Sequence, residues 1–143
     1  MIFSHRPGQP LLLSERNSTG NNAGAMIENE QFARGVAHFN VREFFEAHEV
    51  WEELWLRAPE PEKTFLQGMI QIAAAFHHYQ RGNFSGAKSL LSAGLAKIEG
   101  CTPSRRGIDI SGLRDQSKAC LDALLQTGKL GAGELPRIRA SAP

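Results

Sequence analysis

Apolar positions along this chain recur with the 3.6-residue period of α-helices from residue 27 onward, and no stretch shows the two-residue alternation of a half-buried strand. Capping residues, prolines and glycines divide this pattern into segments joined by short connections. We predict helices over residues 27–39, 41–57, 62–81 and 84–98, and a fifth that Asp109 or Ser111 caps and that ends near Gln126. Because short connections favour antiparallel neighbours, the predicted fold is all-α, a compact antiparallel bundle of about five helices.

Two polar residues predict where the second helix begins. Asn40 has a side chain that commonly caps helix N-termini, and Glu43, three residues on, completes a pair that resembles a capping box. The second helix is therefore expected to start at Val41, directly after its cap.

Composition divides the chain into three parts. Residues 1–25 are rich in Gly, Asn, Ser and Pro, and they contain too little apolar surface to offset the entropy of ordering them. We expect this segment to be disordered, or to be an extension upstream of the true start at Met26. Residues 26–128 form the predicted helical bundle domain, and residues 129–143, with two glycines and two prolines, form an irregular C-terminal tail.

Charge, hydropathy and cysteine content exclude several classes of protein. A net charge of +1, from 16 Lys and Arg against 15 Asp and Glu, gives no whole-molecule attraction to nucleic acid or to an anionic membrane. No apolar run approaches the ~20 residues that span a bilayer. Cys101 and Cys120 form no CxxC pair, so a reducing cytoplasm is the expected location. Arg105 and Arg106 are interpreted as part of a solvated loop rather than as a phosphate-binding site.

Aromatic residues mark the core and bring polar residues with them. Ten of the 11 aromatics and four of the five histidines lie between Phe32 and Phe84. On a helical wheel of the second helix, one arc of about 120° contains Phe44, Phe45, His48, Trp51, Glu52 and Trp55. His48 and Glu52 thus lie one turn apart among large rings, with Glu49 at the edge of the arc. Burying them there costs several kcal/mol unless both are paired or coordinated.

The third helix has a matching polar strip, formed by Gln67, Gln71, Ala74 and His78. If the second and third helices are antiparallel, Gln71 lies level with His48, Gln67 lies level with Glu52, and His78 lies about two turns further along. Gly68 and the alanines at 73–75 keep this helix slim, which allows a partner helix to approach closely.

Three interpretations of this cluster remain open. The first is a buried, mutually satisfied hydrogen-bond network. The second is a metal site for zinc, iron or manganese, with His48, Glu52 and His78 as ligands and His77 as the alternate ligand. The third is an acid/base or ligand pocket without metal, in which Glu52 tunes His48 as the catalytic pair. In the second and third interpretations, Glu49, Gln67 and Gln71 are outer partners that orient the imidazoles. The HExxH zinc motif is rejected, because Glu52 stands where its second histidine would be.

The same residues resemble a known family, the bacterial and archaeal domain-of-unknown-function family 309. The resemblance rests on His48, Glu52 and Trp55 in the spacing HxxxExxW, followed by Gly68-Met69 and then by His77-His78, with Met69 where the family pattern has Leu. It covers roughly residues 30 to 100. The resemblance implies an all-helical bundle and a suggested role in metal binding, and it implies no established reaction.

Two functional hypotheses follow. The chain is a metal-binding protein or metal-dependent hydrolase whose His/Glu site lies between the second and third helices. Alternatively, it is a non-enzymatic interaction module in which the polar cluster is structural. In that case a cleft around Phe45, Trp51 and Trp55 accepts a peptide or helix from a partner, or from a second copy in a homo-oligomer. A small-molecule ligand is compatible with either hypothesis.

Overall fold

Each apolar stripe predicted from the sequence belongs to an α-helix in the computed structural model, which describes residues 21–131 and 133–141, with side chains from residue 29. The helices are Asn21–Asn40 (α1), Phe44–Arg57 (α2), Glu62–Gln80 (α3), Phe84–Ile98 (α4) and Ile110–Thr127 (α5). A two-residue antiparallel pair, Ser104–Arg105 (β1) and Ile108–Asp109 (β2), precedes α5. The all-α prediction is confirmed. Of residues 1–25, which are expected to be disordered, residues 1–20 lie outside the described residues and residues 21–25 belong to α1, which therefore begins earlier than the sequence predicts.

Successive helices pack side by side, α1 on α2, α2 on α3, α3 on α4 and α4 on α5. The core lies where the aromatic residues are concentrated, as predicted. Phe32 stacks on Trp51 with ring centroids 5.6 Å apart, and Phe39 meets Phe44 edge-to-face at 4.9 Å. Such ring pairs add to the free energy that burial of the rings already supplies. Within the described residues, no helix has the length and apolar character needed to cross a membrane.

The indole ring of Trp51 packs directly against the backbone of α1 at Gly35, which has no side chain. Its Nε1–H donates a hydrogen bond of 3.1 Å to the carbonyl oxygen of Phe32, and the residue is 0% exposed. A Cβ atom built on Gly35 would lie only 2.1 Å from that same Nε1. Glycine at position 35 is therefore required by the close approach of a tryptophan and not by backbone conformation.

Two glycines allow α3 and α4 to cross closely. A Cβ atom on Gly68 would lie 3.1 Å from the carbonyl oxygen of Gly94, and one on Gly94 would lie 2.9 Å from that of Gly68. The helix that exploits the slim face of α3 is thus α4. Gly68, a residue of the family pattern, has a packing role.

The predicted cap at Asn40 is wrong. Helix α1 continues to Asn40, and α2 begins at Phe44 after Glu43, whose side chain makes no capping hydrogen bond. The amide of Asn40 instead pairs with the backbone of Ile138, with Nδ2 donating to the carbonyl at 2.8 Å and Oδ1 accepting from the N–H at 2.7 Å. The side chain that the local pattern predicts as the cap of α2 thus forms hydrogen bonds with a residue 98 positions away.

Ile138 belongs to the segment formed by residues 130–131 and 133–141, here called the C-terminal strap. Among the described residues of the predicted irregular tail there is no helix or strand, only one bridge to Ile108, and several of these residues pack on the bundle. Leu130, Pro136 and Ile138 are buried. Arg42, in the left-handed region at φ 72°, donates from its guanidinium to the carbonyls of residues 135 and 136.

The interpretation of Arg105 and Arg106 as a solvated loop is also wrong. Both guanidinium groups bind the carboxylate of Glu62, Arg105 through Nη2 to Oε1 at 2.7 Å and Arg106 through Nε to Oε2. They lie over the rings of Phe65 and Phe32, with the Cζ atoms 4.8 Å and 5.1 Å from the ring centroids. The turn before α5 is therefore attached to the start of α3 and to the aromatic core.

This ion pair predicts a pH-dependent stability. Burial pushes the pKa of Glu62 up, but hydrogen bonds and positive charge from Arg105 and Arg106 outweigh burial and hold the pKa below its ordinary 4.5. Because the folded pKa is the lower one, the stabilisation is complete above pH 4.5 and is lost as pH falls through the folded value. We expect Glu62→Gln to lower the free energy of unfolding by about 2 kcal/mol at pH 7.

Urea denaturation of both proteins at a series of pH values measures this difference. It should shrink as pH falls below 4.5, because the wild-type carboxylate becomes protonated. Glu30, an exposed carboxylate on α1, supplies the matched control, since Glu30→Gln should change stability by less than about 0.5 kcal/mol. A difference for Glu62→Gln that stays constant down to pH 2 would contradict the assignment.

Candidate functional site

The candidate site lies on the side of α2 next to α3. His48 is 5% exposed and Glu52 is 8% exposed, so both point inward as the helical wheel predicts. The imidazole of His48 stacks on Phe45 with ring centroids 5.6 Å apart, and Phe45 in turn contacts the ring of His77 on α3 at 5.2 Å. An imidazole and a carboxylate thus lie one turn apart at the interface of two helices.

Three contacts establish the register of these antiparallel helices. The ring of Phe44 lies 5.5 Å from that of Phe76, Phe45 contacts His77, and Lys63 Nζ donates to the carbonyl of Trp55 at 2.7 Å. Residues near 48 are therefore level with residues near 71, which is the predicted register. His78 belongs about two turns beyond.

Gln71 is the member of α3 that lies level with His48. Its side chain is 3% exposed, whereas Gln67, one turn earlier, is only partly buried. The Oε1 atom of Gln71 accepts no hydrogen bond from any described residue. A buried amide oxygen without a donor is uncommon and costs free energy comparable to a lost hydrogen bond, so this atom calls for a ligand or water.

The two adjacent histidines of α3 point to different neighbours. His78 Nδ1 lies 3.0 Å from Nδ2 of Asn83, the residue that caps α4, whereas His77 lies beside Phe45. Burial lowers the pKa of His77 below its ordinary value, and the charges of His78 and Arg81 lower it further against the opposing effect of Glu46. The neutral imidazole is thus favoured at position 77.

The described residues do not assemble the full ligand set predicted from the sequence. Nowhere among them do three or more His, Cys, Asp or Glu side chains converge as a metal site would require. The structure brings together His48 and Glu52, with Gln71 level with them, and it directs His78 towards Asn83. Glu49 is partly buried on α2.

The predicted aromatic cleft is not formed by the three residues assigned to it. Trp51 lies in the core, where its N–H is bound to Phe32, so it presents no surface to a partner. Trp55 is partly buried beneath the ammonium group of Lys63, whose Nζ lies 3.9 Å from the ring centroid. Of the three, Phe45 is the most exposed, at 37%.

Two buried polar residues, Gln31 on α1 and Ser117 on α5, escaped the sequence-based prediction. The amide of Gln31 on α1 donates to the carbonyl of Val50 and to Oε1 of Glu53, both at 3.1 Å. The residue is buried, and it ties α1 to the side of α2 away from the candidate site. Its position directly before the core residue Phe32 was the only local signal.

Comparison with known proteins gives relatives without an assigned activity. The chain is 31% identical over 109 residues to an "Uncharacterized protein" of Aquifex aeolicus (strain VF5), covering 76% of this chain and 32% of that protein. It is 37% identical over 60 residues to the "Uncharacterized protein YpuF" of Bacillus subtilis (strain 168), covering 41% of this chain and 34% of that protein. The matched part of the chain therefore spans about a third of the length of these relatives.

The family comparison covers the helices that build the candidate site. Residues 32–90 match the sequence model of a family described as "Domain of unknown function (DUF309)". These residues include all of α2 and α3, and with them His48, Glu52 and Gln71. The resemblance predicted from the residues is thus confirmed over residues 32–90, where the chain matches the DUF309 family.

Proposed function

We propose that this chain binds a divalent metal ion between α2 and α3, through His48 and Glu52 with the amide oxygen of Gln71 as a third donor. The observation that carries the proposal is the burial of these three side chains, here called the α2–α3 polar cluster, at neighbouring levels of one helix pair. An imidazole and a carboxylate on one helical face are a common source of metal ligands in helical bundles.

The chemistry of the cluster fits such an ion. One nitrogen donor and two oxygen donors suit zinc, iron(II) and manganese(II). A bound cation would also be compatible with the buried carboxylate of Glu52, since carboxylate oxygens are ordinary ligands of these ions. It would also use the oxygen of Gln71, for which the described residues supply no donor.

The donor set is smaller than the one predicted from the sequence. His78 is omitted because Asn83 contacts its Nδ1, and His77 is omitted because Phe45 lies between it and His48. With three protein donors, at least one coordination position would remain for water or substrate, which is the arrangement that supports metal-assisted hydrolysis. The substrate class is left open.

A second candidate function is a non-enzymatic interaction module with a structural polar cluster. It is favoured by the finding that, in the described part of the chain, no three His, Cys, Asp or Glu side chains converge as a metal site would require. This alternative predicts that metal ions neither copurify with the chain nor raise its melting temperature.

Elemental analysis of chain purified without a histidine tag or chelator tests the proposal. We expect about one zinc, iron or manganese ion per chain, because His and carboxylate donors held by a fold bind such ions tightly. His48→Ala and Glu52→Gln should lower the metal content at least tenfold. His38→Ala is the matched control, since this imidazole lies at the surface and pairs with Glu43 at 2.7 Å.

Gln71→Leu separates the two candidate functions. If Gln71 donates to a metal ion, the variant should bind metal more weakly, and its apo form should unfold at the same or a higher temperature, because a buried oxygen without a donor has been removed. If the cluster is a structural network, metal content stays at zero in every variant. Wild-type chain that takes up no zinc, iron or manganese from an excess of each would reject metal binding.

A further inference from the structure

A second feature, remote from the α2–α3 polar cluster, lies between α4 and α5. An open groove of about 230 Å³ runs between these helices, here called the α4–α5 groove. Its apolar floor and charged rim are formed by Leu95, Ala96, Glu99, Lys118, Leu121 and Asp122. The contact between α4 and α5 is less extensive than that between α3 and α4, so the groove lies along the looser seam of the bundle.

The helix that forms one wall of the groove also carries an exposed leucine. Leu125 is 63% exposed, the most exposed large apolar side chain among the described residues. It lies one turn beyond Leu121 on the face of α5 that Lys118, Leu121 and Asp122 share. A single exposed leucine is ordinary on a protein surface, but this one continues the apolar floor of an open groove.

Helix geometry relates the leucine to the groove. Leu125 and Lys118 are seven residues apart, so they lie two turns apart, about 10 Å, on the same helical face. If two copies of α5 pair in antiparallel fashion about a two-fold axis near residues 121 and 122, Leu125 of each copy comes level with Lys118 of the other. Leu125 of each copy then enters the groove of the other copy, as a symmetric interface requires.

In this arrangement the charged residues of one copy lie opposite residues of opposite charge on the other copy. Lys118 of one copy comes within about one turn of Asp122 of the second copy, and the two-fold axis repeats the pair. Glu99 adds a second carboxylate to the rim of the groove. The interface would thus have leucines 121 and 125 of both copies at its centre and two opposite-charge pairs at its edge, which is the usual arrangement of core and rim.

We infer that this chain forms a two-fold symmetric homodimer in which α5 of each copy packs antiparallel to the other and inserts Leu125 into the other copy's α4–α5 groove. The inference does not depend on the proposed metal site, whose residues lie on α2 and α3.

Sedimentation equilibrium of the full chain over a series of concentrations tests the dimer. Wild type should approach twice the chain mass of 15.7 kDa, whereas Leu125→Glu should stay at 15.7 kDa at the same concentrations. Leu56→Glu is the matched control, because Leu56 is also exposed, at 41%, but lies on α2 away from the groove. This control should sediment as wild type does, and circular dichroism should show that both variants are folded.

A charge exchange tests the pairing itself. Lys118→Glu and Asp122→Lys should each shift the chain towards the monomer, because each places like charges opposite one another across the axis. The double variant should recover the dimer, since opposite charges again face each other. Wild type that remains at 15.7 kDa at every concentration would overturn the inference, and so would a dimer that Leu125→Glu leaves intact.

Discussion

Gly35→Ala is expected to lower the free energy of unfolding by about 2–4 kcal/mol. The new Cβ atom would lie 2.1 Å from Nε1 of Trp51, so the indole must move and its hydrogen bond to Phe32 must stretch or break. Overpacking costs about 1–3 kcal/mol, and a buried donor left without its acceptor costs a similar amount. Alanine regains about 1 kcal/mol through its higher helix propensity, which is too little to reverse the sign.

Urea denaturation measures this loss, and two further variants test its cause. Gly100→Ala should be nearly neutral, because a Cβ atom there meets nothing within 4 Å. Trp51→Phe removes Nε1, the nearest of the three indole atoms that clash, so Gly35→Ala should cost less in a Trp51→Phe background than alone. Additive effects of the two substitutions would contradict the proposed contact, since residues that touch are expected to couple.

Ending the chain after Glu134 is expected to cost about 3–6 kcal/mol, which is a large part of the stability of a small domain. The truncation removes the buried side chains Pro136 and Ile138 and leaves Asn40 without its backbone partner. Burial of each such apolar side chain contributes about 1.5–3 kcal/mol.

Point variants in the full-length chain separate strap packing from a general effect of shortening. Ile138→Ala should lose about 2–4 kcal/mol through the cavity it creates, and Arg139→Ala should be close to neutral, because its side chain is exposed and only its carbonyl is used. Equal stability of the truncated and wild-type chains would show that the strap is dispensable.

The helices were predictable because their signals are local. Asn83 accepts a hydrogen bond from the N–H of Gly86, Asp109 accepts one from that of Gly112, and Gly128 ends α5 at φ 85°, all within one turn of the helix concerned. Of the two caps left open for α5, the structure uses Asp109.

Two of the errors share a physical cause, since each concerns a polar side chain whose partner is distant in sequence. Asn40 is a residue type that commonly caps helices, but it binds Ile138. Arg105 lies in a stretch that resembles a solvated loop, but it binds Glu62, 43 positions earlier. The strap was expected to be irregular because periodicity detects only regular elements. Its burial depends on contacts with residues far away in sequence, such as Asn40 and Ile108.

The candidate site was predictable only in part, because only some of its signals are local in sequence. The spacing of His48 and Glu52 predicts that they share a face with large aromatic residues, and both are buried. Which histidine of α3 lies nearer to them depends on how α3 is rotated against α2, and this rotation follows from packing across the bundle. The contact of Phe45 with His77, rather than with His78, records that rotation.

The pairing of Asn40 with Ile138 has a consequence for biosynthesis. A ribosome that adds about 5–20 residues per second needs roughly 5–20 seconds to proceed from one partner to the other, 98 positions later. During that interval the link between α1 and α2 is exposed, with the Asn40 amide and the Arg42 guanidinium bound to water. The first half of the nascent chain therefore completes its packing only when nearly the last residues described here have emerged.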